Sequence, residues 1–231
     1  MAVVLNILSE FDGKGISKAR KEFSQLEGAS KKAGFALKKA MIPATAALAG
    51  LGAMLVSATK DAMEDEAAQA LLATTIKKTT GATEAQIKAN EDWITTQGKL
   101  LGVSDDELRP VLGRLVKATG SVTKAQKLAT QAMDIAASTG KPLATVTAAI
   151  EKAYGGNLAA LGKLAPEYRQ MIKDGASFEE VMAAIAKTTG GAATTAANTA
   201  QGQFKRLGVA LSETKESIGT ALIPVFEKLL P

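Results

Sequence analysis

The sequence predicts a mainly α-helical chain, and three observations carry that reading. Hydrophobic residues make up 46% of the 231 positions but aromatics only 4%, so a core has to be built from Ala, Leu, Ile, Val and Met. Alanine is the best helix former and a poor strand former. Apolar residues recur at three- and four-residue spacing, and Thr-Gly and Gly-Gly stops cut the chain into helix-sized pieces. The expected architecture is a short N-terminal strand, a compact multi-helix middle domain, and long amphipathic, coiled-coil-like helices flanking it. The expected divisions are 1–59 (strand, basic helix and Ala-rich apolar helix), 60–192 (compact helical domain) and 193–231 (a long helix leading into a rod).

Val3-Val4-Leu5-Asn6-Ile7-Leu8 is β-branched and apolar and stops at Asp12-Gly13-Lys14-Gly15, which reads as a strand and turn. From Ile16 the period changes. Ile16, Ala19, Phe23, Leu26, Ser30, Ala33 and Leu37 alternate at spacings of three and four, the seam of a left-handed coiled coil, while lysines populate the other faces. Small residues weaken this seam, so it fits a lone amphipathic helix on a core as well as a self-associating one.

Residues 40–59 carry no charge and include Ile42, Leu48, Leu51, Leu55 and Val56. About 20 apolar residues span a bilayer as a helix, but Pro43, Gly50, Gly52 and seven alanines dilute this run. An Ala/Gly-rich buried helix, a segment that inserts into membrane on a trigger, and a resident span all remain open from sequence.

Across 60–192, stops and starts are readable. Thr80-Gly81 and Thr119-Gly120 suggest two related helix-turn-helix joints, Ser104-x-x-Glu107 and Ser177-x-x-Glu180 are capping boxes, and Gly140 followed by Pro142 separates a helix over 122–138 from one ending at Tyr154. Pro110 is expected to kink its helix or to mark its true start. A helix of roughly thirty residues, about 45 Å long, is expected from Thr194 to Pro224. In it Phe204, Leu211, Ile218 and Val225 recur every seven residues, flanked by Leu207 and Leu222.

Composition excludes several chemistries. With no Cys and no His, zinc sites of the Cys/His type, cysteine nucleophiles, Ser-His-Asp triads and histidine bases are ruled out. The net charge of +5 is spread in blocks: basic residues exceed acidic ones by 4 in 1–59 and by 5 in 111–175, acidic residues exceed basic ones by 4 in 60–110, and 176–231 balances. Alternating blocks suit protein partners better than sequence-specific nucleic acid. The acidic group Asp61, Glu64, Asp65, Glu66 reads as a solvated face with nothing opposite it to raise a pKa, and Asp105-Asp106-Glu107 as helix N-terminal charge. Trp93 reads as a core anchor, and Tyr154 and Tyr168 as boundary residues. Glu167, a conceivable hydrolase acid, has no identifiable carboxylate partner. No catalytic, cofactor or metal residues are expected, and the protein is read as not an enzyme.

Two segments, taken together, point to a family. One is Val103-Ser104-Asp105-Asp106-Glu107-Leu108-Arg109-Pro110-Val111-Leu112-Gly113-Arg114-Leu115-Val116. The other runs from Ala132-Met133-Asp134-Ile135-Ala136-Ala137-Ser138-Thr139-Gly140-Lys141-Pro142-Leu143 through Tyr154, Gly156-Asn157 and Leu161-Gly162-Lys163-Leu164. In order and spacing this resembles the tail tape-measure proteins of long-tailed phages. The ending, Phe204-Lys205-Arg206-Leu207 to Ile218-Gly219-Thr220-Ala221-Leu222-Ile223-Pro224-Val225, resembles the stretch where such proteins pass into their helical rod.

The resemblance implies a structural protein of the tail lumen, around which tube subunits assemble and whose length sets tail length. It implies as partners its own copies (a trimer or hexamer), the tail tube protein, tail-tip or baseplate hub proteins, and tail assembly chaperones. The implied locations are the virion tail lumen and, during assembly, the host cytoplasm. Release during DNA ejection is a further implication, and contact with the host membrane through Ile42, Leu48, Leu51, Leu55 and Val56 is the alternative role. The expected self-association residues are Ile16, Phe23, Leu26, Leu37, Phe204, Leu211, Ile218 and Val225. As one helix, 231 residues would reach only about 350 Å, so the chain is expected to be the N-terminal region of a longer protein or a separately made portion of it.

Overall fold

The computed structural model describes the backbone of residues 45–227 and the side chains of 56–224. Of the described residues 86% are helical, with no strand among them, so the chain is mainly α. The expected strand at 3–8, the seam residues Ile16, Phe23, Leu26 and Leu37, and Ile42 lie outside the described residues.

The helices are α1 (Thr45–Thr80), α2 (Glu84–Leu101), α3 (Asp105–Thr119), α4 (Val122–Thr139), α5 (Leu143–Tyr154), α6 (Ala159–Leu164), α7 (Arg169–Lys173), α8 (Phe178–Thr189), α9 (Ala192–Ala197) and α10 (Ala200–Glu227), with a 3₁₀ turn at Pro166–Tyr168. Contacts group Glu64–Thr214 into one compact unit, and the described residues 45–63 and 215–227 into another. Helices α1 and α10 each contribute residues to both.

In the larger unit α3 is the central element, packed on α4 and α5, while α8 and α9 also lie on α4 and α9 reaches α2. Leu108, Leu112, Leu115 and Val116 of α3 are fully buried with Ile135 of α4, Val146 and Ile150 of α5, and Val181 and Ile185 of α8. Among the described residues no aromatic is among the largest fully buried side chains, in keeping with a composition poor in aromatics. The rings sit at the margin: Tyr154 meets Phe178 edge-on at 5.3 Å, and the Tyr168 hydroxyl lies 2.7 Å from Thr188 Oγ1. Such pairing suits side chains with an apolar body and a polar end.

Three corners are built alike. At Thr80-Gly81, Thr119-Gly120 and Thr139-Gly140 the glycine takes φ of 69°, 65° and 67°, a left-handed conformation that ends a helix at little cost only for glycine. The threonine hydroxyl donates to the carbonyl four residues back (Ile76, Leu115, Ile135) and accepts the N–H two residues on (Ala82, Ser121, Lys141). Each corner thus supplies partners for backbone groups that a helix end leaves open. Reciprocal capping boxes then start α2 (Thr83 with Gln86) and α8 (Ser177 with Glu180).

Neither Pro110 nor Pro224 bounds its helix. Helix α3 begins at Asp105, capped by Ser104 Oγ accepting from Glu107 N–H, and continues through Pro110 to Thr119; the cap and acidic first turn, not the proline, define its start. Helix α10 likewise runs through Pro224 to Glu227. The break falls earlier, at Asn198–Thr199, where Thr199 Oγ1 accepts from Gly202 N–H and gives α10 a fresh start.

In the smaller unit, Ala58 and Ala62 of α1 and Leu222 of α10 are buried. A Cβ on Gly219 would collide with the Ala58 carbonyl and crowd the Ala62 methyl, so the two backbones approach as only small residues permit. Lys215 Nζ donates to Ser57 Oγ at 2.8 Å and Asp61 Oδ2 at 2.5 Å beside this crossing.

Candidate functional site: an exposed helix face and a buried charge cluster

Within the larger unit, α10 lies on α2 through its smaller residues. Arg206 Nε donates to the Lys99 carbonyl at 2.9 Å. A Cβ on Gly102 would meet Arg206 at 3.0 Å, and one on Gly98 would come within 4.0 Å of Val209. Gly202, Arg206, Val209 and Glu213 form the half-buried face. The large apolar residues of this unit point elsewhere: Phe204 is 76% exposed, Leu207 56% and Leu211 63%; further along the same helix, in the smaller unit, Ile218 is 49% exposed. Spacings of three, four and seven place these four along one side of a helix. The outer face of α10 is therefore apolar and exposed.

The other expected positions fare differently. Val225 lies in α10 and Leu48, Leu51 and Leu55 lie in α1, but their side chains fall outside the described ones. Val56 is 62% exposed. Among the described residues no helix is long and apolar enough to cross a membrane.

The sequence reading of the acidic residues needs correction. Asp65 does not sit on a bare solvated face. It meets the guanidinium of Arg109, which is only 7% exposed. Arg109 Nε also donates to Glu91 Oε2 at 3.1 Å, and its Nη1 lies 2.9 Å from Asp105 Oδ2. Three carboxylates from α1, α2 and α3 therefore share one guanidinium, whose planar fork can serve several acceptors at once.

Burial raises the pKa of Asp65, with Arg109 opposing and Asp105 reinforcing the rise. Burial likewise raises that of Glu91 against the pull of Arg109. For Arg109 burial acts downward, but the three carboxylates outweigh it and hold the group more firmly protonated. Glu91 Oε1 is buried without a hydrogen-bond partner. Within this unit the cluster joins α1, α2 and α3 by ion pairs to one guanidinium, and removing one partner of a buried ion pair costs about 3–5 kcal/mol.

Asn90 is the residue that the sequence reading passed over. It occupies the buried line Ile87, Asn90, Ile94, Gly98 of α2 and is 1% exposed. Gln126 Nε2 donates to its Oδ1 at 3.0 Å, while its Nδ2 has no partner. A buried donor left open costs about 1–3 kcal/mol. Asn90 lines an open cleft of ≈ 460 Å³ between the Thr80-Gly81 and Thr119-Gly120 corners. Trp93, expected to be a core anchor, has two roles: it packs on the core and also lines this cleft.

Set against known proteins, the chain matches no family model, no curated protein and no solved structure.

Proposed function

We propose that this chain is the structural tape-measure component of a long-tailed phage tail, a scaffold in the tail lumen around which tube subunits assemble and which sets tail length. The observation that carries this reading is the line Phe204, Leu207, Leu211, Ile218, apolar, exposed and set at helical spacing along α10. A chain that spends its largest side chains on an outer face is made to associate, and a side-by-side seam of several copies is the arrangement a helical rod needs. The resemblance of residues 100–165 and 200–226 to tape-measure proteins supplies the tail context, and the absence of His and Cys removes the commonest catalytic groups.

Sedimentation analysis of the purified chain tests the association. A trimer or hexamer is expected, and a Phe204→Ser/Leu211→Ser double substitution is expected to give a monomer of unchanged helicity. A wild-type monomer at high concentration, or an unaltered oligomer in the variant, overturns the seam. Electron microscopy of particles carrying the same two substitutions tests the tail role. Missing tails or tails of irregular length are expected, and tails of normal number and length count against it.

A further inference from the structure

A groove of ≈ 540 Å³ runs along α5 and α6 and is lined by Lys141, Lys152 and Lys163, with no carboxylate among its eleven lining residues. Several exposed cations of this unit are paired: Lys77 with Glu84, Lys88 with Asp92 and Arg114 with Glu151. The three groove lysines form no ion pair among the described residues. Glu151, the neighbour of Lys152 in sequence, is already taken by Arg114 at 2.9 Å. Pro142 brings no side-chain cap to the start of α5, so the positive end of that helix adds to the field beside Lys141. The groove therefore attracts negative charge.

Methyl groups dominate the rest of the lining. Ala144, Ala148, Ala149, Ala159 and Ala160 are five of the eleven residues, and the buried Leu164 lies with them. Ala144 and Ala148 are one turn apart on the same side of α5. Small residues admit a close approach of backbones, as Gly98 and Gly102 of α2 do for α10. A nucleic-acid strand would use little of this surface. The lining holds no aromatic ring on which a base could stack and no guanidinium to fork onto a phosphate. A helix with carboxylates beside an apolar stripe uses both features: the stripe packs on the alanines, and the carboxylates meet the lysines.

We propose that this groove docks an acidic amphipathic helix of a partner protein, with its apolar stripe on the alanines and its carboxylates on Lys141, Lys152 and Lys163. Lys152 belongs to α5 and Lys163 to α6, so both helices that line the groove supply a cation. The lysine stems add apolar cover along the docked helix while their ammonium groups reach its carboxylates.

Fluorescence anisotropy tests this with the full chain and three labelled probes: a helical peptide of repeating Glu-Ala-Ala-Leu, its Lys-Ala-Ala-Leu counterpart, and a DNA duplex. Saturable binding of the glutamate peptide, weakening as salt is raised, is expected, with none of the lysine peptide. Exposed ion pairs are each worth little, so Lys141→Gln/Lys152→Gln/Lys163→Gln together should lower affinity about tenfold. Lys117→Gln/Lys124→Gln/Lys127→Gln removes as much charge outside the groove and should change affinity by less than about twofold. All six lysines are exposed, so both variants should keep the wild-type circular dichroism. No saturable binding of the glutamate peptide overturns the proposal, as does an equal loss in the two triple variants. Tighter binding of the duplex than of the peptide, lost in the groove variant, overturns it in favour of a nucleic-acid site. A change in the oligomeric state of the groove variant alone overturns it in favour of a contact between copies.

Discussion

Helix α3 turns Leu108, Leu112, Leu115 and Val116 wholly into the core, whereas α10 leaves Phe204, Leu207 and Leu211 in solvent and packs through Gly202, Arg206 and Val209 instead. Both helices are amphipathic, and a count of apolar residues would rank them alike. The difference lies in what each buried face is for. The large aliphatics of α3 fill volume among several helices, so removing them opens cavities. The small inner face of α10 fills almost none and lets backbones approach, so the penalty there comes from adding atoms. The large side chains on the outer face of α10 stay exposed in the described chain.

The contrast is broken most severely at Arg109. Arg109→Met leaves three half-buried to buried carboxylates around an apolar side chain, and thermal or urea unfolding should show a loss of about 3–5 kcal/mol. A loss no larger than that of an exposed surface substitution would mean that the cluster does not hold α1, α2 and α3 together. On α10 the converse change is addition. Gly219→Val drives a side chain into the Ala58 carbonyl and should cost about 1–3 kcal/mol, the usual range for overpacking. Unchanged stability would show that the crossing of α1 and α10 is looser than its geometry.

The smallest effect is on pH dependence. Because the folded-state pKa values of Asp65 and Glu91 are raised, their contribution to stability is fully present below the unfolded-state carboxylate range and is lost as pH rises through the raised values. Measured as the difference in unfolding free energy between wild type and Glu91→Gln, the balance should shift toward wild type on acidification from neutral pH. A shift toward the variant would mean that Arg109 overcomes burial at Glu91.

What could be read from sequence divides along the same physical line. Corners written locally were legible: Gly140 and Pro142 bound α4 and α5, and Ser177-x-x-Glu180 starts α8, because each signal and its partner lie within a few residues. The outer line Phe204, Leu211, Ile218 was legible as a period, though its exposure was not. Arg109 was hidden because two of its partners lie 44 and 18 residues away, a distance over which no local pattern speaks. Asn90 left a faint trace as the one polar residue in the line Ile87, Ile94, Gly98, the kind of interruption that either finds a buried partner or faces a ligand. The start of α10 had no Gly or Pro at the break, only Thr199 acting through its side chain.

The three Thr-Gly corners also bear on how the chain acquires its shape. Each one closes with hydrogen bonds spanning at most four residues, so each turn between adjacent helices can form before any distant segment is present. Folding rates rise as contacts become more local, and a growing chain orders its N-terminal parts first. Successive turns of this kind can therefore form in sequence during synthesis, ahead of α10, the last described helix.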